Sequence, residues 1–116
     1  MLTDRMFVNT KVFDRLWESL GGDDDDLSSL QKAISDNPYL HPIIKGTGGV
    51  RKIRIALEGR GKSGVARVIY GDFPEYGVTY LFAAYPKSVK DDISDREKQF
   101  LKAGMNQIKE NWRENK

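Results

Sequence analysis

Two runs of branched apolar residues, VRKIRIAL and VARVIY, flank the six residues GRGKSG at positions 59–64. No other feature of the chain constrains its fold as strongly. Side chains alternate across a strand, so Ile53, Ile55 and Leu57 point to one side while Lys52 and Arg54 point to the other. The letters GRGKSG satisfy G-x-G-x-x-G, and Gly61-Lys62-Ser63 resembles the end of a Walker loop. Both phosphate loops require a helix to begin at the last glycine, so that free N–H groups and the helix dipole face the phosphates. Here the β-branched run VARVIY follows instead, and the first Walker glycine would fall on Ala56. The segment therefore reads as a hairpin, with a flexible tip that exposes Arg60 and Lys62.

The remaining elements follow from periodicity. RMFVNT is compatible with a short strand. KVFDRLWESLG then places Val12, Phe13, Leu16, Trp17 and Leu20 on one helical face, capped by Asn9 or Thr10 and ended by Gly21-Gly22. A second helix carries Leu27, Leu30, Ala33 and Ile34 until Asn37-Pro38 interrupts it. The four aspartates before it, Asp23 to Asp26, read as a cap that complements the helix dipole, because the alternating ligand spacing of a calcium loop is missing. After the hairpin VTYLFAAY forms a third strand. Ser94-Asp95-Arg96-Glu97 opens a final helix whose stripe is Leu101, Met105, Ile108 and Trp112. The order helix, helix, three strands, helix predicts an α+β fold: one domain over residues 1–116, with an antiparallel sheet and helices segregated to one face.

Composition narrows the chemistry. Cysteine is absent, which excludes disulfides and thiolate sites. The single histidine, His41, stands beside Pro42 with no second histidine to share a metal or a proton, so a loop contact is expected of it rather than catalysis. No metal site and no cofactor are expected. No apolar run is long enough to cross a bilayer, and MLTDRMFVNT lacks the order of a secretion signal, which predicts a soluble intracellular protein with no membrane role.

Net charge is only +2, yet it is unevenly spread. Residues 1–44 hold four Lys/Arg against eight Asp/Glu, residues 45–67 hold seven against one, and the remainder is balanced at eight each. A basic segment in a nearly neutral chain points to a phosphate-rich partner. Lys52 and Arg54 are spaced by two strand residues, roughly 7 Å, near the separation of successive phosphates. Arg67 lies in an otherwise apolar strand. Its nearest acids in sequence are Glu58 and, in the following turn, Asp72 and Glu75, so it is expected to be unpaired and open to an anion. Tyr85 and Lys87 end the third strand around Pro86, an aromatic beside cations as a stacking and phosphate-holding surface would use.

In order along the chain, Asn37-Pro38, Ile44-Lys45-Gly46-Thr47-Gly48-Gly49, Arg51-Lys52-Ile53-Arg54, Gly61-Lys62, Arg67-Val68-Ile69-Tyr70 and Tyr80-Leu81 through Tyr85 to Lys87 form a pattern over roughly residues 5 to 115. It resembles the HigB-like branch of the RelE/ParE toxin superfamily. The resemblance implies the toxin of a type II toxin–antitoxin pair, built on a small twisted antiparallel sheet flanked by helices and neutralised by a HigA-like helix-turn-helix antitoxin. RelE-like members enter the ribosomal A site and cleave mRNA. ParE-like members poison gyrase instead, and a basic module that only binds RNA and antitoxin is a further alternative. The family's basic pair falls on Lys52 and Arg54, its central arginine on Arg67 and its last basic position on Lys87. Some family nucleases place an arginine next and a tyrosine farther on, whereas this chain has Ser88 and no tyrosine after Tyr85.

The expected function is thus a cytoplasmic, ribosome-dependent, metal-independent endoribonuclease that inhibits translation. A neighbouring 2'-hydroxyl attacks phosphorus, leaving a cyclic phosphate and a 5'-hydroxyl. Arg54 and Arg67 are expected to stabilise the phosphorane through paired guanidinium donors. Lys52 and Lys87, with Tyr85 nearby, are the candidates for moving protons. Lys45, Arg51, Arg60 and Lys62 are expected to anchor ribosomal or messenger phosphates.

Overall fold

In a computed structural model, which describes residues 5–59, 61–62, 64–88 and 93–115, the chain forms seven elements. Strand β1 is Met6–Asn9, helix α1 Lys11–Ser19 and helix α2 Asp24–Asp36; strands β2 (Arg51–Leu57), β3 (Gly64–Phe73) and β4 (Val78–Pro86) follow, then helix α3, Asp95–Glu114. The sheet order is β1-β4-β3-β2.

The β2–β3 and β3–β4 pairs are antiparallel, as hairpins must be, but β1 runs parallel to β4, with Met6 opposite Val78 and Asn9 opposite Leu81. The sheet is therefore mixed and four-stranded rather than antiparallel. Four residues are too few to show a period, so the strand character of β1 is decided by its edge position. There Arg5 forks onto Asp72 of β3 at 2.8 and 3.0 Å, and Thr79 of the intervening β4 donates to the same carboxylate at 2.7 Å. Asp72 is thus a strand residue tied to Arg5, not a turn acid available to Arg67.

The helices are not segregated to one face either. Phe13, Trp17 and Leu20 at α1 and Leu30 and Ile34 of α2 bury against Ile53, Leu57, Val68 and Tyr70. On the other side Met105 of α3 packs with Val50, Ile69, Phe73 and Val78. Strands β1, β3 and β4 contribute to both clusters by their alternation, whereas β2 gives Ile53, Ile55 and Leu57 to the first alone, so the sheet is covered on both faces except where β2 turns Lys52 and Arg54 outward. A Cβ at Gly71 would come within 2.6 Å of the Met105 sulfur and 2.9 Å of the Phe82 ring, which is why α3 can lie so close to the strands. A bulge between Ile69 and Tyr70 leaves Phe82 as the extra residue on β4, and both Phe82 and Ala83 pack on the α3 side.

Local signals set the helix starts. Thr10 accepts from the Phe13 amide at the start of α1. Asp23 and Asp26 form a reciprocal capping box on α2, and Ser94 and Glu97 do the same on α3. Asp23 and Asp26 also receive the ammonium of Lys62 from the hairpin tip, at 2.9 and 2.8 Å. The side chain of Lys62 is consequently 17% exposed, so it is not the free cation on a flexible tip that the glycines suggested. Gly21, at φ +83°, lets the tip approach: a Cβ there would sit 2.7 Å from the Gly61 carbonyl oxygen. Among the described residues no helix is long and apolar enough to cross a membrane.

Candidate phosphate-binding site

Register brings the basic residues together. Alternation along β2 puts Lys52 and Arg54 on the face away from Ile53 and Leu57. Antiparallel pairing sets Arg54 directly opposite Arg67 and Arg67 opposite Tyr85, forming a row across three strands. The backbone amide of Lys87 donates to the Val65 carbonyl at 3.1 Å, which extends the β3–β4 ladder one step beyond Pro86. Lys87 is thereby two residues past Tyr85 on the same face, and it is exposed.

Two adjoining cavities open along this row. The larger, about 450 Å³, is walled by Lys52, Arg54, Arg67, His41 and Pro42. The smaller, about 190 Å³, is walled by Lys45, Lys52, Arg67, Tyr85 and Lys98. Lys52 and Arg67 belong to both. No carboxylate lines either cavity among the described residues.

Arg67 is 4% exposed. A buried guanidinium must be satisfied, and Arg67 does engage a partner within the fold, so the expectation of an unpaired arginine does not hold. Its value to a ligand lies in its position at the junction of the two cavities, both of which it lines. Arg54 is exposed and faces it across the ladder. Like charges directly opposite one another oppose sheet formation. An anion seated between them would offset that repulsion.

The other expected anchors divide. Lys45 is exposed and lines the smaller cavity. Arg51 serves the fold instead, because its guanidinium donates to the Tyr39 and His41 carbonyls at 3.2 and 2.7 Å and lies 5.5 Å from the Tyr39 ring centre. Lys62 is held by its two aspartates. Arg60 lies outside the described residues. Arg51 and Lys62 thus stabilise the loop and the hairpin that frame the site.

Two residues reach the site unannounced. His41 lines the larger cavity, held edge-on against Tyr70 with ring centres 6.2 Å apart, and its buried Nε2 has no hydrogen-bond partner among the described residues. Burial pushes the Tyr70 phenol up to about 12, and its hydroxyl donates to the Pro38 carbonyl at 3.0 Å, anchoring the loop that carries His41. Lys98 arrives from α3. Nothing in the linear pattern separates it from Lys102 or Lys109 on the same helix; only the packing of α3 against the Gly46–Gly49 loop does so. Among the described residues no group of three or more His, Cys, Asp or Glu could hold a metal ion.

A sequence model of the family described as the RelE toxin of the RelE / RelB toxin–antitoxin system matches residues 5–115. Among solved structures, the fold matches a free-state mutant of the E. coli toxin RelE with two arginines changed to alanine. Identity is 15%, the match covers 76% of this chain and 88% of that chain, and the TM-score is 0.54. At that identity the structural likeness speaks to the fold alone.

Proposed function

Because the chain belongs to the RelE toxin family of RelE / RelB toxin–antitoxin systems, we propose that it is a cytoplasmic toxin that inhibits translation by cutting mRNA in the ribosomal A site. In this reading it is a metal-independent endoribonuclease without a cofactor, and a HigA-like helix-turn-helix antitoxin holds it in check. The observation that carries the reading is the row Arg54, Arg67 and Tyr85, with Lys52 beside it, converging from three strands on cavities without a lining carboxylate among the described residues.

The chemistry follows from that set of groups. The 2'-oxygen forms a bond to phosphorus as its proton passes to a base, the bond from phosphorus to the 5'-oxygen breaks, and an acid protonates the leaving oxygen. The products are a 2',3'-cyclic phosphate and a 5'-hydroxyl. Arg54 and Arg67 stabilise the charge that accumulates on the phosphorane. Lys52, which walls both cavities, is the first candidate for the proton transfers, with Tyr85 reaching in from the adjoining cavity and Lys87 farther along the same face. In-line geometry is the part these groups do not impose, and the ribosome contributes it by holding the message, an effect of several kcal/mol.

Purified protein incubated with translating ribosomes, followed by mapping of mRNA 5' ends, tests this. Cuts are expected with wild type and are lost with Arg67→Ala; Arg54→Gln, at an exposed position, gives the same loss in a variant whose folding does not depend on a buried arginine. Intact message with wild type overturns the nuclease reading, and blocked supercoiling by gyrase in the same preparation would replace it.

A further inference from the structure

The smaller cavity is not needed to hold a scissile phosphate, because Lys52, Arg54 and Arg67 already converge on the larger one. It nevertheless gathers Lys45, Lys98, Lys52 and Arg67 around about 190 Å³. That volume is below the roughly 300 Å³ at which pockets for whole small molecules begin, so it admits a group the size of a phosphate rather than a nucleobase with its sugar.

The Gly46–Gly49 loop fixes one wall. Thr47 is buried; its hydroxyl donates to the Ile44 carbonyl at 2.6 Å and accepts from the Val50 amide at 3.0 Å. Gly46, at φ +85°, has its Cβ position 3.7 Å from Cδ of Lys98, so the stem of that lysine rests on the loop. Among the described residues Lys98 pairs with Asp95 at 4.0 Å, whose side chain is 98% exposed, a contact too solvated to compete with a phosphate.

We propose that this cavity is a second phosphate site, in which Lys98 and Lys45 hold the phosphodiester next to the scissile one. The choice of RNA as the ligand rests on the ribonuclease reading. Lys52 and Arg67 wall both cavities, so neighbouring phosphates of one strand are the occupants that the pair of cavities fits. Lys98 is then a positioning residue. It sets which linkage lies beside Arg54 and touches no reacting atom.

The test uses a single-stranded oligonucleotide with 2'-O-methyl sugars, which binds but offers no 2'-hydroxyl for attack. Lys98→Ala is expected to weaken binding about tenfold and to lower the slope of log affinity against log salt by about 0.7, as the loss of one phosphate contact on a single strand does. Lys98→Arg restores both, and Lys109→Ala, exposed on the same helix, changes neither. A neutral methylphosphonate at the adjacent linkage costs wild type the same factor and costs Lys98→Ala nothing more. Equal binding by wild type and Lys98→Ala, additive losses, or no oligonucleotide binding at low salt overturns the second site. If Lys98 dependence is complete while mRNA on ribosomes stays uncut, the nuclease reading fails and the phosphate site stands.

Discussion

Arg54 and Arg67 show how a residue's cost to the fold can mark its use. They are direct cross-strand partners of like charge, a pairing that opposes sheet formation by a few tenths to about 1 kcal/mol. Arg54→Gln is therefore expected to leave the protein as stable or more so, by up to about 1 kcal/mol in thermal unfolding. It should also lower cleavage by about 100-fold, the scale of losing one donor to a developing charge. A clear fall in melting temperature would show that Arg54 serves the fold instead. Arg51, two strand positions before Ile53, gives the opposite lesson: the same residue type, on the same strand, is bound to the carbonyls of Tyr39 and His41.

Between elements, the contact of the hairpin tip with the start of α2 is sensitive to pH. Asp23 is held at about 2, first by the Asp26 backbone amide and then by the Lys62 ammonium; Lys62 is raised by Asp26 and Asp23. A carboxyl whose folded value lies below its unfolded 3.8 contributes stability above that value and loses it as pH falls toward 2. The Asp23 side chain is 55% exposed, so the effect is modest. Lys62→Ala should lower the melting temperature at pH 6, and its difference from wild type should shrink between pH 4 and 2. A pH-independent difference would assign the loss to the packing of the lysine stem. The same contact explains why a glycine-rich tip, legible as flexible in sequence, is tied down in three dimensions.

At the scale of the molecule, the sheet is covered on both faces by helices, and the basic row opens into cavities walled in part by the loop that follows α2. The short parallel edge strand is held by Arg5 and Asp72, whose side chains are 7% and 3% exposed. Hydrogen bonding to Asp72 raises the Arg5 guanidinium above its ordinary range, so the arginine stays charged. Asp72→Asn leaves a buried guanidinium without its countercharge and should cost roughly 3–5 kcal/mol, read by denaturant unfolding. A loss below about 1 kcal/mol would mean that β1 is held by its backbone ladder alone.

Local rules in the sequence determined most of the elements. Capping boxes, apolar periods and two β-branched runs act within a few residues, and the strand period puts Lys52 and Arg54 on one face whatever packs around them, while the register adds Arg67. The family pattern over residues 5–115 was legible for the same reason, being carried by those local strings. Partner choice was not. The parallel pairing of β1, the placement of α3 on the opposite face from α1 and α2, the Asp72–Arg5 fork, the engagement of Arg67, the diversion of Arg51 and Lys62 and the arrival of His41 and Lys98 all join residues far apart in the chain. Charge identifies which side chains need a partner; only the packed backbone brings one within reach.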